Sequence, residues 1–192
     1  MARNHRNNVV WTQIAAAAGG LAVGVIASRL LPPLMAQASG SARARVGRDP
    51  FDLLIRDHRH ISSLLKEMAR VPEESHPRRL KLYLQLKRTL AKHAMAEEDV
   101  VYPLLHGPVG EPERSKHLYE EHADIKIHLY ELEQLLKKNA NWSERVQMLS
   151  ELIEGHVRDE EEVQFPKLRQ FLDQRHTRQV TGEIHREEAL VL

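Results

Sequence analysis

"HAMAEEDVVYP" at residues 93–103 and "HVRDEEEVQFP" at residues 156–166 are two writings of one phrase, His-x-x-x-Glu-Glu-acid-Val-x-aromatic-Pro, set 63 residues apart. Residues four apart on a helix share a face, with Cβ atoms about 6 Å apart. His93 with Glu97, and His156 with Glu160, therefore each present an imidazole beside a carboxylate. A second echo lies upstream of each: "DHRHI" at 57–61 and "EHADI" at 121–125 add His58 and His122 at an offset of 64 residues. The repeating unit is a helical hairpin, written twice.

The surrounding pattern agrees. Asp49-Pro50 reads as a helix start, an N-cap followed by proline in the first turn. Phe51, Leu54, Ile55, His58, Ile61, Leu64, Leu65 and Met68 then recur at helical spacing. "VPEESHP" breaks the pattern. A second helix is expected from Pro77 to His106, a third from Pro112 to Lys138 after "GPVGEP", and a fourth from Ser143 to Leu172 after "NANWS". Short connections between long helices place neighbours antiparallel, so the expected fold is all-α: an up-down four-helix bundle over residues 49–172. Residues 173–192 form a tail with a short fifth helix, against which Gly182 counts.

Residues 1–35 read differently. "VVWTQIAAAAGGLAVGVIASRLL" at 9–31 is close to the roughly 20 apolar residues a spanning helix needs. This N-terminal hydrophobic helix is expected as a single-pass membrane anchor of open orientation. Gly20 and Gly24, as G-x-x-x-G, suit an anchor-mediated homodimer. The alternatives are a transit sequence, or a signal peptide cleaved near Ala38 that leaves a periplasmic or secreted protein. Residues 36–48 are a flexible linker.

The first 48 residues hold six Arg and neither Asp nor Glu, so the rest of the chain is net acidic although the whole carries +1. Such a domain has no electrostatic reason to seek nucleic acid. With no cysteine, disulfides, Fe–S clusters and thiolate chemistry are excluded.

Helix rise of about 1.5 Å per residue lets His58, His93, Glu97, His122, His156 and Glu160 meet in one layer. Imidazoles and carboxylates buried among Leu and Ile need partners. Four imidazoles and two carboxylates suit two divalent metals, each with two His and sharing Glu oxygens, with room for a solvent-derived oxo or hydroxo bridge. Ligation without sulfur suits iron, with manganese and zinc less favoured.

With this order of ligands, and an acidic run and aromatic-Pro after each pair, residues 50–170 resemble the hemerythrin-like HHE cation-binding family. That resemblance implies a four-helix bundle around a non-haem di-iron centre, with roles in binding or sensing O₂, handling nitric oxide, storing iron or repairing iron centres. Family members that carry oxygen reversibly have a second His four residues after the third-helix His; here that position is Lys126. The repair members have an N-terminal cysteine-bearing region, which this chain lacks. In some members the last carboxylate falls one residue later, which makes Glu161 the alternative to Glu160.

Against these stand plainer readings. The two His/Glu pairs also fit ordinary surface i,i+4 pairs. Glu98, Asp99, Asp159 and Glu162 read as a solvated acidic face or an outer shell. Pro103 and Pro166 read as kinks or helix ends, and Tyr102 and Phe165 as packing, with Tyr102 also placed to line a ligand pocket. Three functions follow: a di-iron protein that senses or binds O₂ or nitric oxide or handles iron; a di-iron oxidoreductase that consumes nitric oxide or peroxide; and a metal-free interaction module held at a membrane.

Overall fold

The computed structural model describes residues 49–191, which are helical with no strand among them. Asp49 Oδ1 accepts the Phe51 N–H at 2.9 Å at the start of the first described helix, and α1 runs Phe51–Met68. Helix α2, His76–Ala96, passes into a π-helical turn at Glu97–Val101 and then into α3, Tyr102–His106. Helix α4 spans Pro112–Lys137. Helix α5, Ser143–Asp159, repeats the earlier device with a π turn at Glu160–Gln164 and α6 at Phe165–Phe171. Helix α7 covers Gln174–Glu188 with Gly182 inside it.

The two prolines do not end their helices, as proline often does. Pro103 and Pro166 have no N–H to give to the preceding turn. The ladder widens ahead of each: the Tyr102 N–H bonds to the Glu97 carbonyl and the Phe165 N–H to the Glu160 carbonyl, both i to i−5. The Glu98 carbonyl, which Pro103 cannot serve, takes the Tyr119 hydroxyl at 2.6 Å.

Helix α1 packs on α2 and α5, and α4 packs on α5 and α2, so the long helices close a ring of contacts. Their buried side chains form two apolar clusters. One holds Ile61, Leu65, Leu86, Leu90, Ile125, Leu149 and Ile153. The other holds Phe51, Leu54, Ala96, Tyr102, Leu118, Phe165 and Leu168, with Val180 and Ile184 from α7. Burying each Leu, Ile or Phe contributes about 1.5–3 kcal/mol. Along every long helix the predicted ligand sits at the seam between the clusters: His58 between Leu54 and Ile61, His93 between Leu90 and Ala96, His122 between Leu118 and Ile125. At the far turns Arg79, fully buried, lies 4.5 Å over the Trp142 ring and donates to the Ala140 carbonyl, tying one hairpin to the other.

One expectation is corrected. Among the described residues no helix is long and apolar enough to cross a membrane, so the single-pass anchor and the membrane-anchored localisation are not supported. The described helices are amphipathic, with charged residues on their outward faces, as in "PERSKHLYEEHADIK" of α4. The stretch 9–31, its G-x-x-x-G, the linker 36–48 and the cleavage point near Ala38 lie outside the described residues.

Candidate metal centre

The seam between the two clusters is polar and closed. His58, His93, Glu97, His122, His156 and Glu160 are all at most 3 % exposed. Their ligand atoms form two groups that share Glu97: His58, His93, Glu97 and Glu160 on one side, and Glu97, His122 and His156 on the other, each within 4.8 Å. His58 Nε2 lies 3.2 Å from Glu160 Oε2 and 3.6 Å from Glu97 Oε1. His93 Nε2 is 3.1 Å from Glu97 Oε1, and His122 Nε2 is 3.3 Å from Glu97 Oε2. His156 Nε2 is 3.5 Å from Glu160 Oε2. All six residues singled out in the sequence thus share one layer. Glu160 is inside it, while the Glu161 carboxylate stands behind His58.

Outer carboxylates hold three of the imidazoles from behind. Glu161 Oε1 accepts from His58 Nδ1, Glu98 Oε1 from His122 Nδ1 and Glu121 Oε2 from His156 Nδ1, each at 2.8 Å. The first two cross between the hairpins, so each acidic run clamps the other hairpin's lone histidine. In the neutral ring such contacts fix the tautomer that leaves Nε2 a lone pair. His93 is the exception. Its Nδ1 is buried without a hydrogen-bond partner among the described residues. The repeat would assign it Asp57, but Asp57 pairs with Lys92 at 3.4 Å.

Does this layer fit a cation? His122 Nε2 and His156 Nε2 face each other at 3.2 Å with both Nδ1 atoms committed outward. Two lone pairs at that distance repel unless something positive lies between them. Among the described residues Glu97 Oε1, Glu160 Oε2 and His58 Nε2 are likewise buried with no hydrogen bond of good geometry, although His58 Nε2 and His93 Nε2 stand close to these carboxylates. Protons supply part of the missing charge. Burial opposes ionisation of His58, yet the carboxylates of Glu160 and Glu97 outweigh it and lift the imidazole to about 10. Burial likewise opposes the charge on His122, and Glu97 with Glu98 raises it to about 9. Burial also works against the Glu97 carboxylate, but His93, His122 and His58 hold it well below the usual range. A set of imidazoles and carboxylates that recruits protons this strongly fits metal ions.

Tyr102 belongs to the layer, and its reading as packing or pocket lining fell short of that. Fully buried, its hydroxyl donates to Glu160 Oε1 at 2.9 Å and lies 2.9 Å from His122 Nε2. In a regular helix a residue five after Glu97 is rotated about 140° away, at about 100° per residue. The π turn closes i to i+5 and brings Tyr102 back over Glu97. The available signal was the proline behind each aromatic residue. Phe165, the repeat counterpart, lies parallel to the His58 ring at 5.9 Å. Of the other acidic residues, Glu98 clamps His122, whereas Asp159 pairs with Arg114.

A cavity of about 290 Å³ reaches the layer between α2 and α4. All four imidazoles line it, with Ile61, Leu90, Ile125, Leu129, Ile153 and Val157.

A protein built on two His/Glu hairpins around a shared buried layer defines a cation-binding class. The match of residues 49–189 to the hemerythrin HHE cation-binding domain places this chain in that family. It is 29 % identical over 133 residues to a DNA nickase of Nostoc sp., covering 69 % of this chain and 37 % of that protein, so it spans little more than a third of that relative's length. An uncharacterized hemerythrin-like protein of Schizosaccharomyces pombe is 25 % identical over 145 residues, 73 % of this chain and 69 % of the relative. No solved structure matches.

Proposed function

We propose that the domain is an antiparallel up-down four-helix bundle that holds two non-haem iron ions and binds O₂ or nitric oxide, as a sensor of these ligands or in iron handling. The observation that carries this reading is the convergence of four imidazole Nε2 atoms on Glu97 and Glu160 in a layer closed to solvent. His58 and His93 with Glu160 would hold one iron, His122 and His156 the other, and Glu97 would reach both. When bound, the irons would supply a reversible one-electron couple and a Lewis-acidic position for a small ligand.

The chain's own residues supply the rest. Glu98, Glu121 and Glu161 aim the imidazoles. The cavity gives apolar gases a route of matching polarity while the clusters above and below exclude bulk water. DNA nicking is a property of the Nostoc relative, and the acidic balance of this chain after residue 48 offers a duplex no broad basic face.

The experiment is metal analysis of purified protein with absorption spectra before and after O₂ and nitric oxide. Two irons per chain and reversible spectral change are expected. Sustained turnover of nitric oxide or peroxide with an electron donor would move the reading to a di-iron oxidoreductase. Protein without metal, whose melting is unchanged by Glu97→Ala with Glu160→Ala, would leave only a metal-free interaction module.

A further inference from the structure

Resting on the metal-centre reading, we propose that the hydroxyl oxygen of Tyr102 is itself a ligand of the cation held by His122 and His156. The two sides of the layer are unequal. The His58–His93 side draws on four residues, while the His122–His156 side draws on three and shares its one carboxylate. Lys126, one turn beyond His122, brings no donor: its ammonium turns outward to Glu98 Oε1 at 2.7 Å and is 60 % exposed.

Tyr102 stands where the fourth donor is missing. Its oxygen is 2.9 Å from His122 Nε2 and 3.5 Å from Glu97 Oε2. Ligand atoms about 2.0–2.2 Å from one cation lie roughly 3.0–3.5 Å from each other, so these spacings suit donors of one ion. The single phenolic proton serves Glu160 Oε1 at 2.9 Å, which leaves a phenolic lone pair facing His122 Nε2. With Nδ1 committed to Glu98, whatever positive charge lies between Nε2 and Oη, a proton or a metal ion, is shared by both atoms, and a bound cation there takes the proton's place. As the oxygen–metal bond forms, the O–H bond is given up and its proton passes to solvent.

The repeat supplies an internal control. The counterpart of Tyr102 is Phe165, on the side that already has four donors, and it has no oxygen to give. Tyr102 is thus a hydroxyl-bearing variant of the repeated aromatic, placed on the donor-poor side.

The test is visible absorption and resonance Raman spectroscopy of the ferric-loaded full chain. A phenolate-to-iron charge-transfer band with tyrosinate ring modes is expected. Tyr102→Phe should lose both while still binding iron, with the weaker of two binding steps reduced at least about tenfold. Tyr130→Phe, at a tyrosine that is 63 % exposed, should keep the band. Two bound irons without a phenolate band in the wild type, or a band that survives Tyr102→Phe, overturns the proposal and leaves the metal centre standing. Failure to take up iron at all overturns the metal-centre reading beneath it. Circular dichroism checks the variant's fold; if Tyr102→Phe does not fold, the wild-type Raman spectrum decides alone.

Discussion

At the scale of single residues, the chemistry is set as much by the groups behind the imidazoles as by the imidazoles. Glu98 and Glu121 each fix one ring, and loss of such partners typically costs metal affinity 10- to 100-fold. Glu98→Ala and Glu121→Ala should each weaken metal binding by about that factor, read by competition with a chromophoric chelator. A pH dependence follows from the raised imidazoles. His58 at about 10 and His122 at about 9 hold protons at neutral pH in the metal-free protein. Metal uptake must displace them, so affinity should rise with pH toward 9–10, and binding at pH 7 should release protons to an indicator dye. Stability of the metal-free form runs the other way. Folded values above the unfolded 6.5 stabilise fully below that value, and the contribution is lost as pH rises through 9 and 10. The metal-free protein should melt lower at pH 10 than at pH 7.

At the scale of elements, two devices position the site. The π turns carry Glu97 and Glu160 at their first residue and return the following aromatic to the same face. Helix α7 packs on α2 and the first π turn, and its Glu188 meets Lys92, the neighbour of His93. Burial raises the Glu188 carboxyl to about 7, with Asp57 adding to the effect and Lys92 opposing it. An acid raised in the folded state stabilises below its unfolded value near 4.5, and that contribution is lost as pH rises through about 7. Corrected for the base-catalysed rise in the intrinsic amide rate, helix α7 should therefore be less protected from hydrogen exchange at pH 8 than at pH 6. Glu188→Gln, which cannot ionise, should flatten that difference.

At the scale of the whole molecule, the polar layer divides what would otherwise be one apolar core. Filling it should stabilise the fold. At a free metal concentration a hundredfold above Kd, binding contributes about 2.7 kcal/mol. Chelation should lower the melting temperature by several degrees or more, and restoring the metal should restore it.

What was legible in the sequence, and what was not, divides along physical lines. Helical periodicity and the duplicated hairpin identified the long helices. The local i,i+4 pairs identified His93, Glu97, His156 and Glu160, and the repeated acid-His-x-x-Ile added His58 and His122, so that all six residues that converge were legible. Whether Glu160 or Glu161 lies inside was left open until the packing placed Glu161 behind His58. Tyr102 packs as the sequence suggested, but its bonds within the layer were not legible, because the widened turn that directs it there depends on carbonyls finding partners such as Tyr119 on another helix. Likewise, Glu98 reaches His122 and Asp57 leaves His93 for Lys92 through contacts between helices. Sequence alone determined the periodic, local part of this protein. Only tertiary structure decided which carboxylate backs which ring and which side of the layer is one donor short, because those choices depend on side chains far apart in the chain competing for the same few ångströms.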